Sequence, residues 1–354
     1  SHRITMLKNY LTIALRTLMR HKGYSFINVF GLAIGITCCV LMLLLVQDEL
    51  SYDTHHKNAN QIYRFTMQTQ NPETGELRQR LLGPYRLAEA LNTDMPNLTV
   101  VRFNHRNETL RYGEKRFTEN RFFLAEPNVF DVFTFPLVKG DATTALKDPF
   151  SVVITQEIAR KYFESEDPMG KTFDLGDERT LTVTGVLEDR PENMHFKFDF
   201  LGSMNAAPTF FNRLQLENWG EGSVYTYTML PPNVTPESLD APFLTFAKKH
   251  FGEEVVEKFN AKLKLMPLTD IHLHSNERSE IEDNGDITYV YAFSAIAFFV
   301  LLIACINFMN LSSARSANRA REVGMRKVVG AFRFQLIRQF LSESILISIL
   351  AMLL

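Results

Sequence analysis

The chain has 354 residues, a hydrophobic fraction of 45% and a formal net charge of −2. This ordinary average excludes disorder, collagen and a densely hydrophobic membrane bundle. The charges are unevenly placed, however, because residues 26–46 and residues 288–311 carry no charged side chain. Each run is long enough to cross a hydrocarbon core, which needs about 20 apolar residues. The sequence therefore predicts two membrane-spanning helices and excludes a soluble globular protein.

Residues 6–22 predict an amphipathic helix before the first span. Leu7, Leu11, Leu15 and Leu18 recur at helical spacing, whereas the basic side chains fall on other faces of the helix. A basic amphipathic helix of this kind is typical of segments that lie on the cytoplasmic surface of a membrane. The alternative is a helix that packs on another protein.

Charge predicts the orientation of the two spans. Residues 1–25 carry five basic and no acidic side chains, and residues 312–340 carry seven basic side chains and one acidic side chain. Residues 47–287, in contrast, have a net charge of −12. Because short basic stretches stay in the cytoplasm, both of them are predicted to be cytoplasmic and the acidic middle is predicted to be extracytoplasmic.

The acidic middle, residues 47–287, is predicted to be an α+β domain. Short alternating runs predict strands, proline-initiated or helix-periodic runs predict helices, and glycine-containing turns predict two hairpins. The domain contains no cysteine, so no disulfide is predicted. The predicted strands are 61–69, 98–103, 152–154, 196–200, 224–230 and 262–266, the hairpins 109–117 and 171–187, and the helices 84–95, 156–163 and 236–250.

A third apolar run, residues 338–354, begins near the end of the chain. Its last eleven residues, 344–354, carry no charge, which is about half of a membrane span. We interpret this run as the start of a third transmembrane helix in a fragment of a longer membrane protein. A short interfacial helix is the alternative.

Sequence motifs for catalysis are absent. The chain has no phosphate-binding loop, no nucleophile elbow, no H-E-x-x-H and no C-x-x-C, so neither an enzyme nor a cofactor is predicted. His272 and His274 would face one side of a strand, but Asp270 is the only further ligand nearby, and no metal site is predicted. We expect both histidines to hydrogen-bond the base of the outer domain to the ends of the spanning helices.

Residues 312–337 combine basic side chains with an apolar side and two glycines. A juxtamembrane helix held by anionic lipid has this composition. A helix that docks into a groove of a partner protein has it too. The candidate residues of this segment are Arg321, Glu322, Val323, Gly324, Met325, Arg326, Lys327, Val328 and Gly330.

The chain resembles the permease subunits of FtsX-like and MacB-like ABC transporters. Residues 6–36 resemble the family's amphipathic helix and first span, and residues 299–344 resemble its second span, cytoplasmic loop and third span. The most specific stretch is E-V-G-M-R-K-V-V-G-A, residues 322–331. Residues 48–65, 151–171, 182–200 and 266–274 resemble parts of the family's periplasmic core domain.

The resemblance implies an α+β membrane protein in which transmembrane helices flank a large extracytoplasmic α+β domain. An inserted mostly-β subdomain is expected at about residues 115–220. In the family, the segment that corresponds to residues 322–331 contacts a separate ATPase, so ATP hydrolysis is expected on another subunit. The chain would be the N-terminal half of a type VII-like permease that serves export or extraction of a substrate.

The resemblance also implies location and partners. The expected location is the bacterial inner membrane, with the N-terminus in the cytoplasm and the large domain in the periplasm. The expected partners are the cytoplasmic ATP-binding subunit, membrane lipid, a second permease half or dimer partner, and a periplasmic adaptor, without nucleic acid. The alternatives are a membrane-anchored sensor or receptor and a cell-division-type regulator. The third apolar run argues against the sensor, which would continue into a soluble signalling domain.

Overall fold

The computed structural model describes the whole chain except residues 1–15, 17–18, 20–21, 177–178, 276, 278, 319–322, 326–327 and 329–331. The described chain divides into two compact units, which are treated separately. The helical unit comprises residues 1–48 and 287–354, and the outer unit comprises residues 49–286. The predicted amphipathic helix over residues 6–22 falls almost entirely outside the described residues.

Eleven α-helices and twelve strands occur in the described part of the chain. The helices are α1 Lys22–Leu50, α2 Leu87–Asp94, α3 Val129–Val132, α4 Gln156–Phe163, α5 Ala207–Phe210, α6 Arg213–Glu217, α7 Asp240–Phe251, α8 Glu253–Lys258, α9 Ile271–His274, α10 Ile287–Asn318 and α11 Arg333–Leu353. The strands are β1 Ile62–Gln70, β2 Leu77–Arg80, β3 Leu82–Gly83, β4 Thr99–Tyr112, β5 Lys115–Ala125, β6 Leu137–Gly140, β7 Ser151–Thr155, β8 Thr172–Leu175, β9 Arg179–Leu187, β10 Phe200–Ser203, β11 Val224–Met229 and β12 Lys262–Pro267.

Helices α1 and α10 are long and apolar enough to cross a membrane, by length and composition. They contain the two predicted uncharged runs and extend beyond them, to 29 and 32 residues. The apolar part of α11 is shorter and covers Leu341–Leu353.

The three long helices of the helical unit pack through small side chains. A Cβ atom added to Gly35 would collide with the Cβ of Ala304, so the backbones of α1 and α10 approach each other closely at this point. Near one end of the same pair, the Tyr24 hydroxyl donates a hydrogen bond to Ser312 Oγ at 3.3 Å. Ile347 of α11 is buried in the apolar cluster that also contains Ala304. Small residues of this kind allow close packing between helices in lipid.

The outer unit is built on one mixed sheet of twelve strands. The main path runs β12–β1–β11–β4–β5–β10–β7–β9–β6, with β2, β3 and β8 paired at its side. Only β5 with β10 and β7 with β9 run parallel among the described strand pairs. The predominance of antiparallel pairs confirms the predicted α+β class.

Both faces of the sheet are covered. Phe122 and Phe123 are neighbours in β5, and they belong to different apolar cores because successive strand residues point to opposite faces. Strands β5 to β10, which come from residues 115–220, continue the same sheet as the strands on either side of them in the sequence. The boundaries of an inserted subdomain therefore stay a prediction.

The predicted strand 196–200, and the strand conformation considered for His272 and His274, differ from the structure. Phe196 and Phe198 are buried in an apolar core outside the ladder, and β10 starts at Phe200. The backbone N–H of His195 donates to the Asp53 carboxylate and not to the backbone of a neighbouring strand. Residues 271–274 form a helical turn, because Leu268 and Ile271 are buried at helical spacing.

Candidate functional site

We call residues 312–337, which are expected to contact the ATPase, the coupling segment, and its described part exposes apolar side chains. Residues 323–325 are helical, Met325 is 69% exposed and Val328 is 88% exposed. A Cβ atom added at Gly324 would meet no atom of the described part of the chain within 4 Å. Exposed apolar residues beside basic ones are typical of a surface that binds a partner. Arg321, Glu322, Arg326, Lys327 and Gly330 lie outside the described residues, so their role stays a prediction.

A second candidate site lies within the outer unit, where the chain enters and leaves it. We call residues 49–56 the entry connector, because they follow the body of α1. We call residues 270–286 the exit connector, because they precede α10. Buried polar and charged side chains join both connectors to interior strands of the sheet. Since such groups are costly to bury unless they are paired, their arrangement is a specific feature of this domain.

The entry connector contacts the sheet through Asp53. This residue is fully buried and adopts a left-handed backbone conformation with a φ of 58°. Its carboxylate lies 2.9 Å from His195 Nδ1. The other ring nitrogen of His195 lies 2.8 Å from the hydroxyl of Tyr227 in β11. Asp53 is thus linked through one histidine to a central strand.

The exit connector contacts the sheet through Glu280. The fully buried Arg64 of β1 donates to both carboxylate oxygens of Glu280 at 2.7 Å and to Ser275 Oγ at 3.0 Å. Arg64 and Tyr227 are directly opposite each other in the register of β1 and β11. We call the series Asp53, His195, Tyr227, Arg64 and Glu280 the polar relay. It links the two connectors through the adjacent strands β1 and β11.

The surroundings of the polar relay shift the pKa values of three of its members. Burial alone would lower the pKa of Arg64, but the hydrogen bonds that Arg64 donates to Glu280 raise it above its ordinary value. Burial alone would raise the pKa of Asp53, but His195, by its charge and hydrogen bond, lowers it below its ordinary value. Burial raises the pKa of the Tyr227 phenol. Asp53 therefore remains ionised, and the Tyr227 phenol remains protonated, near neutral pH.

The two predicted base histidines behave differently. His272 Nε2 lies 2.9 Å from Glu49 Oε2, and Glu49 is in the last turn of α1. The imidazole also stacks on the ring of Tyr52 at a centroid distance of 3.3 Å. The expectation that His272 joins the base of the domain to a helix end is consistent with this pair. His274 is exposed, and it does not take part in the pair.

Sequence patterns do not identify Arg64, Asp53 or His195 as site residues. The alternation of β1 predicts that Arg64 faces solvent, yet its side chain is fully buried. The only sequence signal was the acid and histidine density just after the first apolar run. Among the described residues, no group of three or more His, Cys, Asp or Glu side chains is arranged to hold a metal ion.

Comparison with known protein families identifies two matching regions. The MacB-like periplasmic core domain matches residues 25–243, and the FtsX-like permease C-terminal domain matches residues 294–354. These two regions together include both connectors' flanking helices and most of the outer unit.

Similar proteins include the macrolide export ATP-binding/permease protein MacB of Neisseria gonorrhoeae. It is 26% identical over 348 residues, which cover 96% of this chain and 50% of the relative. The MacB protein of Aggregatibacter actinomycetemcomitans is 24% identical over 344 residues, with 96% and 50% covered. The chain thus spans about half the length of these relatives. A crystal structure of a permease-protein domain from Porphyromonas gingivalis is 25% identical, with a TM-score of 0.53, and the match covers 67% of this chain and 98% of that domain.

Proposed function

Because the chain belongs to the family of proteins with a MacB-like periplasmic core domain, we propose that it is a permease subunit of a type VII-like ABC transporter. In this proposal a separate cytoplasmic ATPase moves the long helices, and these helices move the outer unit. The outer unit then acts on a substrate outside the membrane, in export or extraction. ATP hydrolysis takes place on the ATPase and not on this chain.

The polar relay is the observation that carries this proposal. It links the residues after α1 to the residues before α10 through two adjacent interior strands, β1 and β11. Flexible linkers at these positions would absorb a displacement of the helices. Buried ion pairs, in contrast, define a specific geometry even where they add little net stability. A domain that has to respond to the movement of its anchoring helices needs such a defined attachment.

The proposed location is the bacterial inner membrane. Helices α1 and α10 would span it, and α11 would begin a third span. The net charge of −12 over residues 47–287 and the basic flanking stretches support a periplasmic outer unit and a cytoplasmic N-terminus. The proposed partners are the ATPase, membrane lipid, a second permease half or dimer partner, and a periplasmic adaptor.

The match of residues 294–354 to the FtsX-like permease C-terminal domain supports a permease over a membrane-anchored sensor or receptor. The relatives named macrolide export proteins support export as the type of activity. The match to an FtsX-like domain is equally compatible with a cell-division-type regulator. The two activities differ in what the outer unit binds, and they share the same coupling to an ATPase.

The coupling segment provides the test of this proposal. The full chain is co-expressed with the ATPase encoded beside it, and ATP hydrolysis and co-purification are measured. We expect Gly324→Trp and Glu322→Lys to lower the stimulation of ATP hydrolysis at least tenfold. An added Cβ atom at Gly324 meets no atom of the described residues within 4 Å, so the expected effect is attributed to the partner's surface.

The matched control is Leu214→Trp, which enlarges a side chain that is 76% exposed in the outer unit. This variant should bind and stimulate the ATPase as the unmodified chain does. The proposal is wrong if the unmodified chain neither binds nor stimulates the ATPase. The assignment of the coupling segment is wrong if both segment variants retain binding and stimulation.

A further inference from the structure

The last turn of α1 and the stretch before α10 meet at a glycine. The Glu49 carboxylate and the His272 imidazole form their 2.9 Å pair beside Gly285, which is two residues before α10 begins. A Cβ atom added to Gly285 would lie 2.5 Å from Glu49 Oε2 and 2.9 Å from His272 Nε2. Real Cβ atoms do not approach polar atoms this closely, so any other residue at this position would have to displace one or both partners.

The backbone around Gly285 is held in place from its N-terminal side. Asn284 Nδ2 donates to the carbonyl oxygen of Ile271 at 3.0 Å and to that of Ser275 at 2.6 Å. These bonds join the residue before the glycine to both ends of α9, which carries His272. The exit connector therefore cannot move away from the pair to make room for a larger residue without breaking these bonds.

We propose that Gly285 is a positioning residue that keeps the two connectors clamped together. The clamp consists of Glu49, Tyr52, His272 and Gly285, and it is distinct from the polar relay. The relay ties each connector to the sheet, whereas the clamp ties the connectors directly to each other. Displacement of either connector is then passed to the other before it reaches the sheet. This inference rests on the proposed function, because it assigns the clamp a role in coupling.

The composition of the clamp supports a positioning role. His272 is 4% exposed, and its imidazole is enclosed between the Tyr52 ring and the Glu49 carboxylate. A hydrogen bond to a charged group with a fixed ring plane is directional, so it holds both partners in one arrangement. The remaining wall of this enclosure is the bare backbone of Gly285. The absence of a side chain there is thus a requirement of the closed arrangement.

Hydrogen–deuterium exchange of the full chain in detergent tests the clamp directly. We expect Gly285→Ala to increase the amide exchange rate at least tenfold in both the entry connector and the exit connector. Exchange in β4 and β5 should stay unchanged, because the hydrogen bond and the ring contact described for the clamp join the two connectors to each other. The control is Gly220→Ala in the same unit, where the nearest atom to an added Cβ is 3.4 Å away. This control should leave exchange in both connectors unchanged.

A second measurement tests coupling rather than local structure. With the ATPase and ATP present, the unmodified chain and Gly220→Ala should show an ATP-dependent change of exchange in β1 and β11. Gly285→Ala should bind the ATPase normally and lose this change. Glu49→Gln, which keeps the size of the side chain and removes its charge, should lose at least half of it.

The outcomes separate this inference from the proposed function. If the unmodified chain shows no ATP-dependent change, the proposed function fails. If it does and Gly285→Ala retains the change, the positioning role is wrong. The clamp is also wrong if the alanine variant accelerates exchange only next to residue 285 and leaves the entry connector unaffected, because the two connectors would then not depend on each other.

Discussion

Asp53 combines two features that are costly at the level of a single residue. It is a fully buried carboxylate, and its φ of 58° lies in the left-handed region. Aspartate tolerates this conformation better than most residues other than glycine, since its short side chain can bond locally. Its carboxylate also approaches the backbone N–H of His195. The contact between the Asp53 carboxylate and the His195 side chain offsets the cost of both features.

The histidines that follow Asp53 predict a pH dependence of stability. Burial, with a smaller contribution from the charge of His55, lowers the pKa of His56 to about 3. Burial also lowers the pKa of His55. The unfolded chain has an ordinary histidine pKa of about 6.5, so between pH 6.5 and pH 3 it binds protons that the folded chain excludes. Stability is therefore present at neutral pH and is lost as the pH falls through this window.

From pH 7 to pH 5, His56 alone should cost about 2 kcal/mol of the free energy of unfolding. This is measured by urea unfolding of the full chain in detergent at both pH values. Asparagine does not titrate, so from pH 7 to pH 5 the free energy of unfolding of His56→Asn should fall by about 2 kcal/mol less than that of the unmodified chain. This difference does not depend on the stability of the variant at pH 7. The exposed control, His274→Asn, should show the same loss as the unmodified chain. An identical loss in the His56 variant would contradict the assignment.

Single residues of the base could be predicted only in part from the sequence. His272 was expected at the base because it lies shortly before the second apolar run. Arg64 was not expected, since the alternation of a strand places a charged residue toward solvent unless a partner compensates for its burial. That partner, Glu280, is 216 residues away in the sequence, and local patterns carry no information about such a distance.

At the scale of elements, the pair of α1 and α10 depends on one close approach. Gly31 and Gly35 are four residues apart on α1, and they face Asn307 and Ala304 of α10. This spacing places both glycines on one helix face, which is typical of helices that pack tightly in membranes. Helix packing of this kind uses backbone proximity rather than large side chains.

Gly35→Ala should destabilise the helical unit by about 1–3 kcal/mol, the usual cost of overpacking. The reason is that the new Cβ would collide with that of Ala304. Thermal unfolding of the full chain in detergent measures the effect. Adding Ala304→Gly to this variant removes the colliding atom and should restore most of the loss.

Gly23→Ala provides the matched control in the same helix, because an added Cβ at Gly23 has no neighbour within 4 Å. It should not lower the unfolding temperature. If Gly35→Ala behaves like this control, or if Ala304→Gly gives no rescue, the two helices do not pack as described.

Most elements of the outer unit could be predicted because their signals are local. The β4–β5 hairpin turns at Gly113, whose φ of 57° requires the freedom of glycine, and the sequence predicted this turn. Helix α4 follows Thr155, whose side chain caps it by accepting a hydrogen bond from the Ile158 N–H. The order of strands in the sheet could not be predicted, because β10 and β11 insert between strands that are distant in the sequence.

At the scale of the whole molecule, the two units differ in the sign of their charge. The outer unit is strongly acidic, whereas the stretches that flank the long helices are basic. Each unit has its own apolar core, so the net charge of a unit bears on its orientation and solubility more than on its fold. It does determine orientation when helices insert into a membrane, because basic flanks are retained in the cytoplasm. The orientation is therefore open to a direct test.

Cysteine labelling in intact spheroplasts tests this orientation. In a background in which Cys38, Cys39 and Cys305 are replaced with alanine, Glu73→Cys should react with a membrane-impermeant maleimide. Glu73 is exposed at a turn of the outer unit, so its accessibility does not depend on unfolding. Asn318→Cys, at the end of α10, should stay unlabelled in intact cells and react after permeabilisation. The opposite pattern would show that the acidic unit is cytoplasmic, and a separate ATPase could then not act on residues 312–337 from the cytoplasm.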